Sequence, residues 1–333
     1  MTTMDPAPPA CGPVGESGRR RGLVLGAGGI LGMAWAIGAL RALEEVEGFD
    51  PRTADVVVGT SAGSVLAALV GSGLSTATLM NNWRGTPGPD EPLLAYDYDG
   101  ERSMPLRPAA RFGSSRLLLR TLSGRAALSP LGMLAAVAPL GRGSLAALGA
   151  VVNTVAGDAW PAAPRTWIVA MDYDTGRRVV FGRSGEPEVR LAEAVTASCA
   201  IPGWYAPVLA GGRRYVDGGA VSTTSADVLA GLGLDEVIVV APMVSFAYDA
   251  PQSRIARVER RLRRGWTRRV LREADVVRRA GTAVTLLGPG RDDLVAIGGN
   301  LMDPRRRAAV LETSLRTTAA ALAARPPMLR AAG

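Results

Sequence analysis

Apolar residues occur along the chain in two patterns, short continuous runs and longer segments with helical spacing. Short runs rich in β-branched residues predict strands, here over 22–25, 55–58, 166–171, 178–181, 214–216 and 236–241. Apolar residues three and four positions apart predict helices, here over 30–47, 64–70, 188–198, 253–280 and 303–324. Strands that alternate with helices predict an α/β fold, with a mainly parallel central sheet covered by helices on both faces.

The length of 333 residues predicts one large domain. We expect a disordered leader over 1–20, a single domain over 21–325 and a short tail over 326–333. Within the domain, 84–160 is expected to be a loop and helical insertion, and 253–325 to be C-terminal helices. The most apolar stretch, 128–155, is interrupted by Pro130, Pro139 and Arg142. It therefore lacks the roughly 20 consecutive apolar residues of a membrane span.

The composition excludes some classes of protein. Hydrophobic residues make up 47% and charged residues 20% of the chain, which excludes a wholly disordered or fibrous protein. The net charge is +8, carried by arginine alone, and favours anionic partners such as phospholipid headgroups or nucleic acid. Cys11 and Cys199 lie far apart, and the leader lacks the apolar segment of a secretory signal. We therefore expect a cytoplasmic protein, associated with membranes only at their surface.

The chain contains no histidine. This removes the usual general base, the usual zinc ligand and the usual pH switch. A conventional α/β-hydrolase triad, which requires a histidine, is excluded. Any chemistry must depend on other groups, and we expect no metal and no cofactor.

The segment Gly59-Thr60-Ser61-Ala62-Gly63 lies between a predicted strand and a predicted helix. It matches the Gly-x-Ser-x-Gly nucleophile elbow, in which small residues allow a turn sharp enough to expose the serine hydroxyl. The start of the following helix favours negative charge that develops at the serine. The alternative is a simple turn.

A glycine loop, 26–32, follows the first predicted strand and leads into a helix. Its backbone amides suit an anion, either a phosphate or a tetrahedral oxyanion. A dinucleotide site would require an acidic residue at the end of a second strand, whereas Asp55 begins its strand. We favour the oxyanion role.

Asp217-Gly218-Gly219 follows the predicted strand 214–216. Asp-Gly-Gly is ordinarily a turn. However, a serine nucleophile needs a base, and without histidine a carboxylate held by a tight turn is the plausible substitute.

Together these residues resemble the patatin-like phospholipases, serine lipid acyl hydrolases with a Ser-Asp dyad and a three-layer α/β/α fold. The glycine loop, the elbow and Asp-Gly-Gly occur in the family's order. A further segment, 197–202 continuing through Pro207 and Val208, resembles the family sequence shortly before the aspartate. The resemblance extends from about Arg21 to Ala241.

The resemblance implies a role for individual residues. Ser61 corresponds to the nucleophile, Asp217 to the base, and the amides of Gly28, Gly29 and Ala62 to the oxyanion hole. The remaining motif glycines are Gly26, Gly32, Gly59, Gly63, Gly218 and Gly219. Two positions depart from the family pattern, since Ala27 replaces a usual glycine and Leu31 a usual basic residue.

Efficient proton abstraction by Asp217 requires an apolar environment that raises its pKa. Trp204, Tyr205 and Val208 are candidates for that environment. Plain core packing is the alternative for each.

Nine arginines crowd the predicted helix 253–280, within 254–272, beside a set of apolar residues. The arginines are Arg254, Arg257, Arg260, Arg261, Arg263, Arg264, Arg268, Arg269 and Arg272, and the apolar residues are Ile255, Val258, Leu262, Trp266, Val270 and Leu271. A basic amphipathic helix of this kind suits an anionic membrane surface. The alternative is a core-packed helix with a solvated arginine face, and nucleic acid is not expected.

The sequence therefore predicts a lipid acyl hydrolase of phospholipase A or lysophospholipase type. Acyl transfer by the same dyad and a non-catalytic lipid-binding protein remain as alternatives. The expected partner is a phospholipid or another acyl-ester lipid.

Overall fold

The computed structural model describes residues 18–94, 109, 112–123, 130–157, 159–246, 249–251 and 253–324. Nearly all of the predicted leader and the whole of the predicted tail lie outside these residues. The described helices are α1 (Gly29–Glu47), α2 (Ala62–Gly71), α3 (Thr76–Arg84), α4 (Ser115–Leu122), α5 (Pro130–Val137), α6 (Ala146–Ala156), α7 (Leu191–Cys199), α8 (Arg254–Arg279), α9 (Arg291–Ile297) and α10 (Arg307–Ala323).

The strands form one mixed sheet at the centre of the described structure. They are β1 (Arg21–Leu25), β2 (Val56–Thr60), β3 (Arg165–Asp172), β4 (Arg178–Phe181), β5 (Val208–Ala210), β6 (Arg213–Asp217), β7 (Glu236–Val240) and β8 (Ala283–Leu287). The strand order is β5-β6-β3-β2-β1-β7-β8, with β4 also paired to β3. The five strands β3, β2, β1, β7 and β8 are parallel, whereas β4, β5 and β6 form antiparallel pairs.

Three strands pair with β3 along its two edges, namely β2, β4 and β6. This pairing places the ends of β2 and β6 next to each other. β4 pairs with residues 168–171 of β3 along one edge. β2 and β6 therefore share the other edge, where Thr60 lies opposite Val169 and Asp217 opposite Ala170. Because β2 and β6 run in opposite directions, their carboxyl ends meet at two consecutive residues of β3.

The sheet is buried on both faces, since alternate residues of its strands belong to two apolar cores. On one face, Leu23 and Leu25 belong to the core that also contains residues of α1, α2, α7 and α10. On the other face, Val24 packs in a second core with Val270 and Val277 of α8. The described structure is thus a three-layer α/β/α arrangement, as predicted.

The predicted strands occur close to their expected positions, and the antiparallel hairpin of β3 and β4 is confirmed. The region 253–325, expected to be C-terminal helices, also contributes the edge strand β8, a five-residue run without a long apolar signal. The 84–160 region contains α4, α5 and α6, while α3 precedes it.

None of the described helices combines the length and apolar character required to span a membrane.

Candidate active site

The backbone at Ser61 has the geometry of a sharp strand-to-helix turn. Ser61 follows β2 directly, precedes α2, and has φ 53° and ψ −124°. A positive φ is uncommon for a residue with a side chain and costs of order 1–3 kcal/mol. The surrounding structure must therefore hold this residue in place.

Hydrogen bonds from two directions hold the turn. The Ser61 amide donates to Ser198 Oγ at 2.8 Å, and Ser198 Oγ donates to the Val169 carbonyl of β3 at 2.6 Å. On the helix side, Ser64 Oγ donates to the Ser61 carbonyl at 2.6 Å. Ser198, at the end of α7, thus links the turn to the sheet.

The glycines of the turn permit close packing against β1. A Cβ at Gly63 would overlap the Leu25 carbonyl, and a Cβ at Gly59 would overlap the backbone of Gly63 and Ser64. Leu25 and Gly59 are paired across β1 and β2. The glycine loop after β1 and the turn after β2 therefore lie side by side.

Asp217 is brought to Ser61 by the shared edge of β3. It is the last residue of β6 and is buried. Its Oδ1 accepts a hydrogen bond from the Gly219 amide at 2.7 Å, and the neighbouring Ser61 side chain lowers the pKa of the carboxyl. Gly218 packs against the Val169 carbonyl, where a Cβ would overlap it. The two predicted residues of the dyad are thus in contact.

Burial raises the pKa of the Asp217 carboxyl from its ordinary value of 3.8 to about 6. The Ser61 side chain and the hydrogen bond from the Gly219 amide act in the opposite direction and are outweighed. A carboxylate with this pKa is ionised at neutral pH and is a stronger base than an exposed aspartate.

The predicted oxyanion donors line cavities that they share with Ser61. Gly28 and Gly29 line a larger cavity with Ser61, and Gly29 and Ala62 line a smaller one with it. Within the part of the chain that the structure describes, the amides of these three residues donate no hydrogen bond to another protein group. Gly29 and Ala62 begin α1 and α2, whose amino-terminal dipoles favour an anion.

Four further amides of the glycine loop are engaged. The Gly26 amide donates to Val240 O at 2.9 Å, the Ala27 amide to Thr223 O at 2.8 Å and the Leu31 amide to Leu301 O at 2.9 Å. The Gly32 amide donates to Gly28 O at 2.9 Å. Among the described residues, the loop amides that donate no hydrogen bond to another protein group, and so remain for an anion, are those of Gly28, Gly29 and Ile30.

The two departures from the family pattern are both buried. Ala27 lines the larger cavity, while the Leu31 side chain is fully enclosed in the core of α1 and α10. Leu31 thus fills space and offers no polar group to the site.

Two cavities meet at Ser61. The larger has a volume of about 370 Å³ and the smaller about 60 Å³. Of the three residues predicted to surround Asp217, Trp204 and Val208 line neither cavity, and Tyr205 lines only the smaller one. Trp204 and Tyr205 stack on one another, and Val208 packs against the core. The apolar residues that line the larger cavity together with Asp217 include Ile201, Pro202, Ala220, Met243, Leu301 and Met302.

A buried glutamate of α8 fixes the segment that follows Asp-Gly-Gly. Glu273 accepts hydrogen bonds from Ser222 Oγ at 2.6 Å, Thr224 Oγ1 at 2.7 Å and the Ala226 amide at 3.1 Å. Between these residues lies Thr223, whose carbonyl accepts from the Ala27 amide. Glu273 therefore supports the glycine loop through the segment 222–226.

The sequence analysis assigned no role to Glu273 or Ser198. Ser198 lies in the segment 197–202, which resembles the family sequence. This resemblance is a sequence signal that Ser198 is important. Glu273 gives no such signal, because an acid among arginines on a helix resembles an ordinary solvated ion pair.

The orientation of α8 corrects the predicted arginine surface. Arg260 and Arg263 are buried, and both contact Glu259. Arg260 also pairs with Asp249 at 2.9 Å, and Arg263 donates to the carbonyl of Pro242 at 2.6 Å. These two arginines therefore bind groups inside the protein, and because they are buried they do not contribute to a surface that could contact a membrane.

Several apolar side chains of α8 are exposed. Ile255, Val258 and Leu262 are 70%, 55% and 49% exposed, whereas Val270 is buried in the core. Trp266, one turn beyond Leu262, lines the larger cavity. An exposed apolar row thus leads along α8 to the mouth of the site, and we call residues 255, 258 and 262 the apolar row.

Comparison with known proteins places the chain in a family. The model of the patatin-like phospholipase family matches residues 23–230. No curated protein matches the chain. Among solved structures, VipD from Legionella pneumophila is 14% identical, with 93% of this chain and 69% of VipD covered and a TM-score of 0.40.

The type III effector protein ExoU is 18% identical, with 92% of this chain and 53% of ExoU covered and a TM-score of 0.37. The chain thus spans about half the length of ExoU. Both TM-scores are low, so the assignment depends on the family model, which matches more than half of the chain and includes Ser61 and Asp217. The chain belongs to the patatin-like phospholipase family, whose members are lipid hydrolases.

Proposed function

We propose that the protein is a lipid acyl hydrolase, of phospholipase A or lysophospholipase type, with Ser61 as nucleophile and Asp217 as general base. The observation that carries this proposal is the position of Ser61 beside the buried Asp217 carboxylate, in the wall of one cavity and at the adjoining ends of β2 and β6. A serine at a strained turn, next to a carboxylate and uncommitted helix amides, is suited to acyl transfer.

In the first step, Asp217 takes the proton of Ser61 as the serine oxygen attacks the ester carbonyl carbon. The carbonyl oxygen becomes an oxyanion, which accepts hydrogen bonds from the amides of Gly28 and Gly29, joined by that of Ala62. The carbon–oxygen bond to the alcohol breaks, and the proton passes from Asp217 to the departing alkoxide. The products are an acyl-Ser61 ester and a free alcohol.

In the second step, water enters where the alcohol departed. Asp217 takes a proton from the water as its oxygen attacks the acyl carbon, and the same amides hold the second oxyanion. The bond to Ser61 breaks, and the proton returns to Ser61 Oγ. The acid product leaves, and the dyad is restored.

We propose that residues 21–325 act as one catalytic unit. Supporting this extent, β7 and β8 extend the sheet beyond the segment that matches the family, and α10 packs in the same core as α1. Glu273, in the same C-terminal part, supports the glycine loop through the segment 222–226.

We further propose that α8 contacts an anionic membrane surface at the cytoplasmic side. The apolar row is exposed, and several exposed arginines flank it, namely Arg254, Arg257, Arg261, Arg264 and Arg268. A row of apolar side chains beside cations matches the interface of an anionic bilayer, with its apolar interior and charged headgroups.

The ester hydrolase proposal is tested with a short-chain p-nitrophenyl ester and two variants. Ser61→Ala and Asp217→Asn are expected to lower kcat by about 10³-fold or more, because neither step can proceed without both groups. Asp275→Asn, at an exposed acid of α8, is the matched control and is expected to keep full activity. Full activity in either dyad variant, with folding verified by circular dichroism, would overturn the mechanism.

A further inference from the structure

The lining of the two cavities carries information about the substrate that the dyad alone does not. The larger and smaller cavities share the wall residues Gly29, Ser61, Ile201 and Met302. An ester bound at Ser61 therefore extends into both, with its acyl part on one side and its alcohol part on the other.

The charge of the lining is unusual for so basic a protein. The chain has 38 basic residues, all arginine. Within the residues that the structure describes, none of them lines either cavity, and Asp217 is the charged side chain that does. The remaining side chains are apolar, apart from a few uncharged polar groups such as Thr223 and Tyr205.

A phosphate next to the scissile ester is disfavoured in such a site on two grounds. It would lose its hydration without gaining a cation in the lining. It would also be repelled by Asp217, which must be ionised to act as a base. An uncharged alcohol incurs neither cost.

Thr223 offers a suitable partner for an uncharged polar group. It lines the larger cavity, and its buried hydroxyl has no hydrogen-bond partner among the described residues. Buried hydroxyls are normally paired, and a hydroxyl of the substrate could supply the missing partner at Thr223.

We propose that the preferred substrate is a neutral acyl ester of a polyol, of the acylglycerol class, in which no phosphate adjoins the scissile bond. This inference rests on the proposed acyl hydrolase function with its Ser61 and Asp217 dyad, and it departs from the phospholipase type because the assigned substrate has no phosphate beside the scissile ester. It does not depend on which cavity receives the acyl chain, because no cation among the described residues lines either of them. Hydrolysis consumes one water and gives a fatty acid and the free alcohol, which is glycerol when the substrate is a monoacylglycerol.

The direct test compares two lipids with the same acyl chain, monolauroylglycerol and lauroyl lysophosphatidic acid. Both are supplied below their micellar concentrations, so that binding to a lipid surface does not contribute. We expect kcat/KM to be about thirtyfold higher for monolauroylglycerol, as follows from about 2 kcal/mol of charge repulsion. p-Nitrophenyl butyrate serves as the reference ester.

Two variants probe the lining itself. Leu134, which lines the mouth of the larger cavity on α5, is 61% exposed, so Leu134→Arg adds a cation without disturbing the core. We expect it to reduce the preference for the neutral lipid at least tenfold. Val137→Arg is the matched control, since Val137 is 52% exposed on the same helix and lines neither cavity. It is expected to leave the preference unchanged.

Thr223→Val removes the hydroxyl and retains the shape. We expect kcat/KM to fall severalfold more for monolauroylglycerol than for p-nitrophenyl butyrate, whose alcohol lacks a hydroxyl to pair with Thr223.

The outcomes separate the two levels of the proposal. Hydrolysis of the phosphate lipid as fast as the neutral one would overturn the substrate class and leave the hydrolase intact. If p-nitrophenyl butyrate and both lipids resist hydrolysis, the proposed function itself fails, and the substrate class fails with it. An equal effect of Leu134→Arg and Val137→Arg would also contradict the role of the lining.

Discussion

At the scale of single residues, Asp217 is a buried carboxyl group and is the proton acceptor of the proposed mechanism. Its carboxyl is enclosed by apolar side chains and contacts the Ser61 hydroxyl and the Gly219 amide. In the proposed mechanism, this environment gives a chain without histidine a base that functions near neutral pH.

The pH dependence of catalysis follows from the raised pKa of Asp217, about 6. Below this pH the carboxyl is protonated and cannot accept the serine proton. We expect kcat/KM to rise about tenfold per pH unit below pH 6 and to level off above it. The measurement is a pH series with p-nitrophenyl butyrate, and a rate that is flat between pH 4.5 and 7 would contradict the assignment.

The stability of the folded protein is expected to decrease as pH rises, whereas kcat/KM increases. Because the folded-state pKa of Asp217 is about 6 and the ordinary value is 3.8, the folded protein binds this proton more tightly than the unfolded chain. The stabilising contribution is therefore complete below about pH 4 and is lost as pH rises through 6. At pH 8 the ionised carboxylate costs about 3 kcal/mol of the free energy of unfolding.

Asp217→Asn removes this cost. We expect the variant to be more stable than the wild type at pH 8 by up to about 3 kcal/mol, with the difference shrinking toward pH 4. Urea unfolding at both pH values measures it, with Ser61→Ala as the control for loss of the dyad contact. A variant that is less stable than the wild type at pH 8 would argue against a raised pKa.

At the scale of elements, the strand pairing explains how two residues 156 positions apart in sequence come together, Ser61 and Asp217. The sequence patterns of β2 and β6 were sufficient to predict both strands and the turn after each. They could not predict that β6 pairs antiparallel with β3 and ends next to the carboxyl end of β2. A three-residue apolar run does not indicate which strand it pairs with. The motifs, in contrast, could be predicted because their glycines are required for close backbone packing.

The helix α8 is a case in which the sequence pattern alone was ambiguous. Apolar and basic residues alternate around it, so the spacing did not decide which side faces the protein. The structure buries Arg260, Arg263 and Glu259 as an ion-paired cluster and exposes the apolar row. Burial of two arginines requires partners on other segments, such as Asp249 and the Pro242 carbonyl, which the pattern of one helix does not contain.

Glu273 provides a test of how α8 supports the glycine loop. In Glu273→Ala the segment 222–226 loses three hydrogen bonds, and the Thr223 carbonyl is expected to move away from the Ala27 amide. We expect kcat to fall by up to about 100-fold with KM nearly unchanged, because displaced oxyanion donors affect the transition state most. Steady-state kinetics on p-nitrophenyl butyrate gives both constants.

Two further variants control this experiment. Glu273→Gln keeps an acceptor oxygen and should recover most of the lost kcat, whereas Asp275→Ala, at an exposed acid on the same helix, should change neither constant. A rise in KM with unchanged kcat in Glu273→Ala would show that the residue does not position the oxyanion donors.

At the scale of the whole molecule, charge is distributed unevenly. The described cavities at Ser61 are lined without arginine, while exposed arginines accompany the apolar row on α8. An anionic surface and a neutral substrate would thus be recognised by different parts of the molecule, with Trp266 located between them.

Membrane contact through α8 is expected to require both its charge and its apolar row. The protein should co-sediment with vesicles containing anionic lipid, and much less with neutral vesicles or at high salt. Replacing Ile255, Val258 and Leu262 by serine should weaken the binding about tenfold or more. Leu209→Ser and Val295→Ser are matched controls at exposed apolar positions elsewhere. Equal binding to neutral and anionic vesicles would count against the proposed surface.

The central claim is that Ser61 is a nucleophile activated by Asp217, and covalent labelling tests it most directly. A fluorophosphonate probe reacts with activated serines, and peptide mapping by mass spectrometry locates the adduct. The account predicts one adduct, on Ser61, with labelling greatly slowed in Asp217→Asn and absent in Ser61→Ala. An adduct on any other residue, or labelling of Ser61 at an undiminished rate in Asp217→Asn, would contradict it.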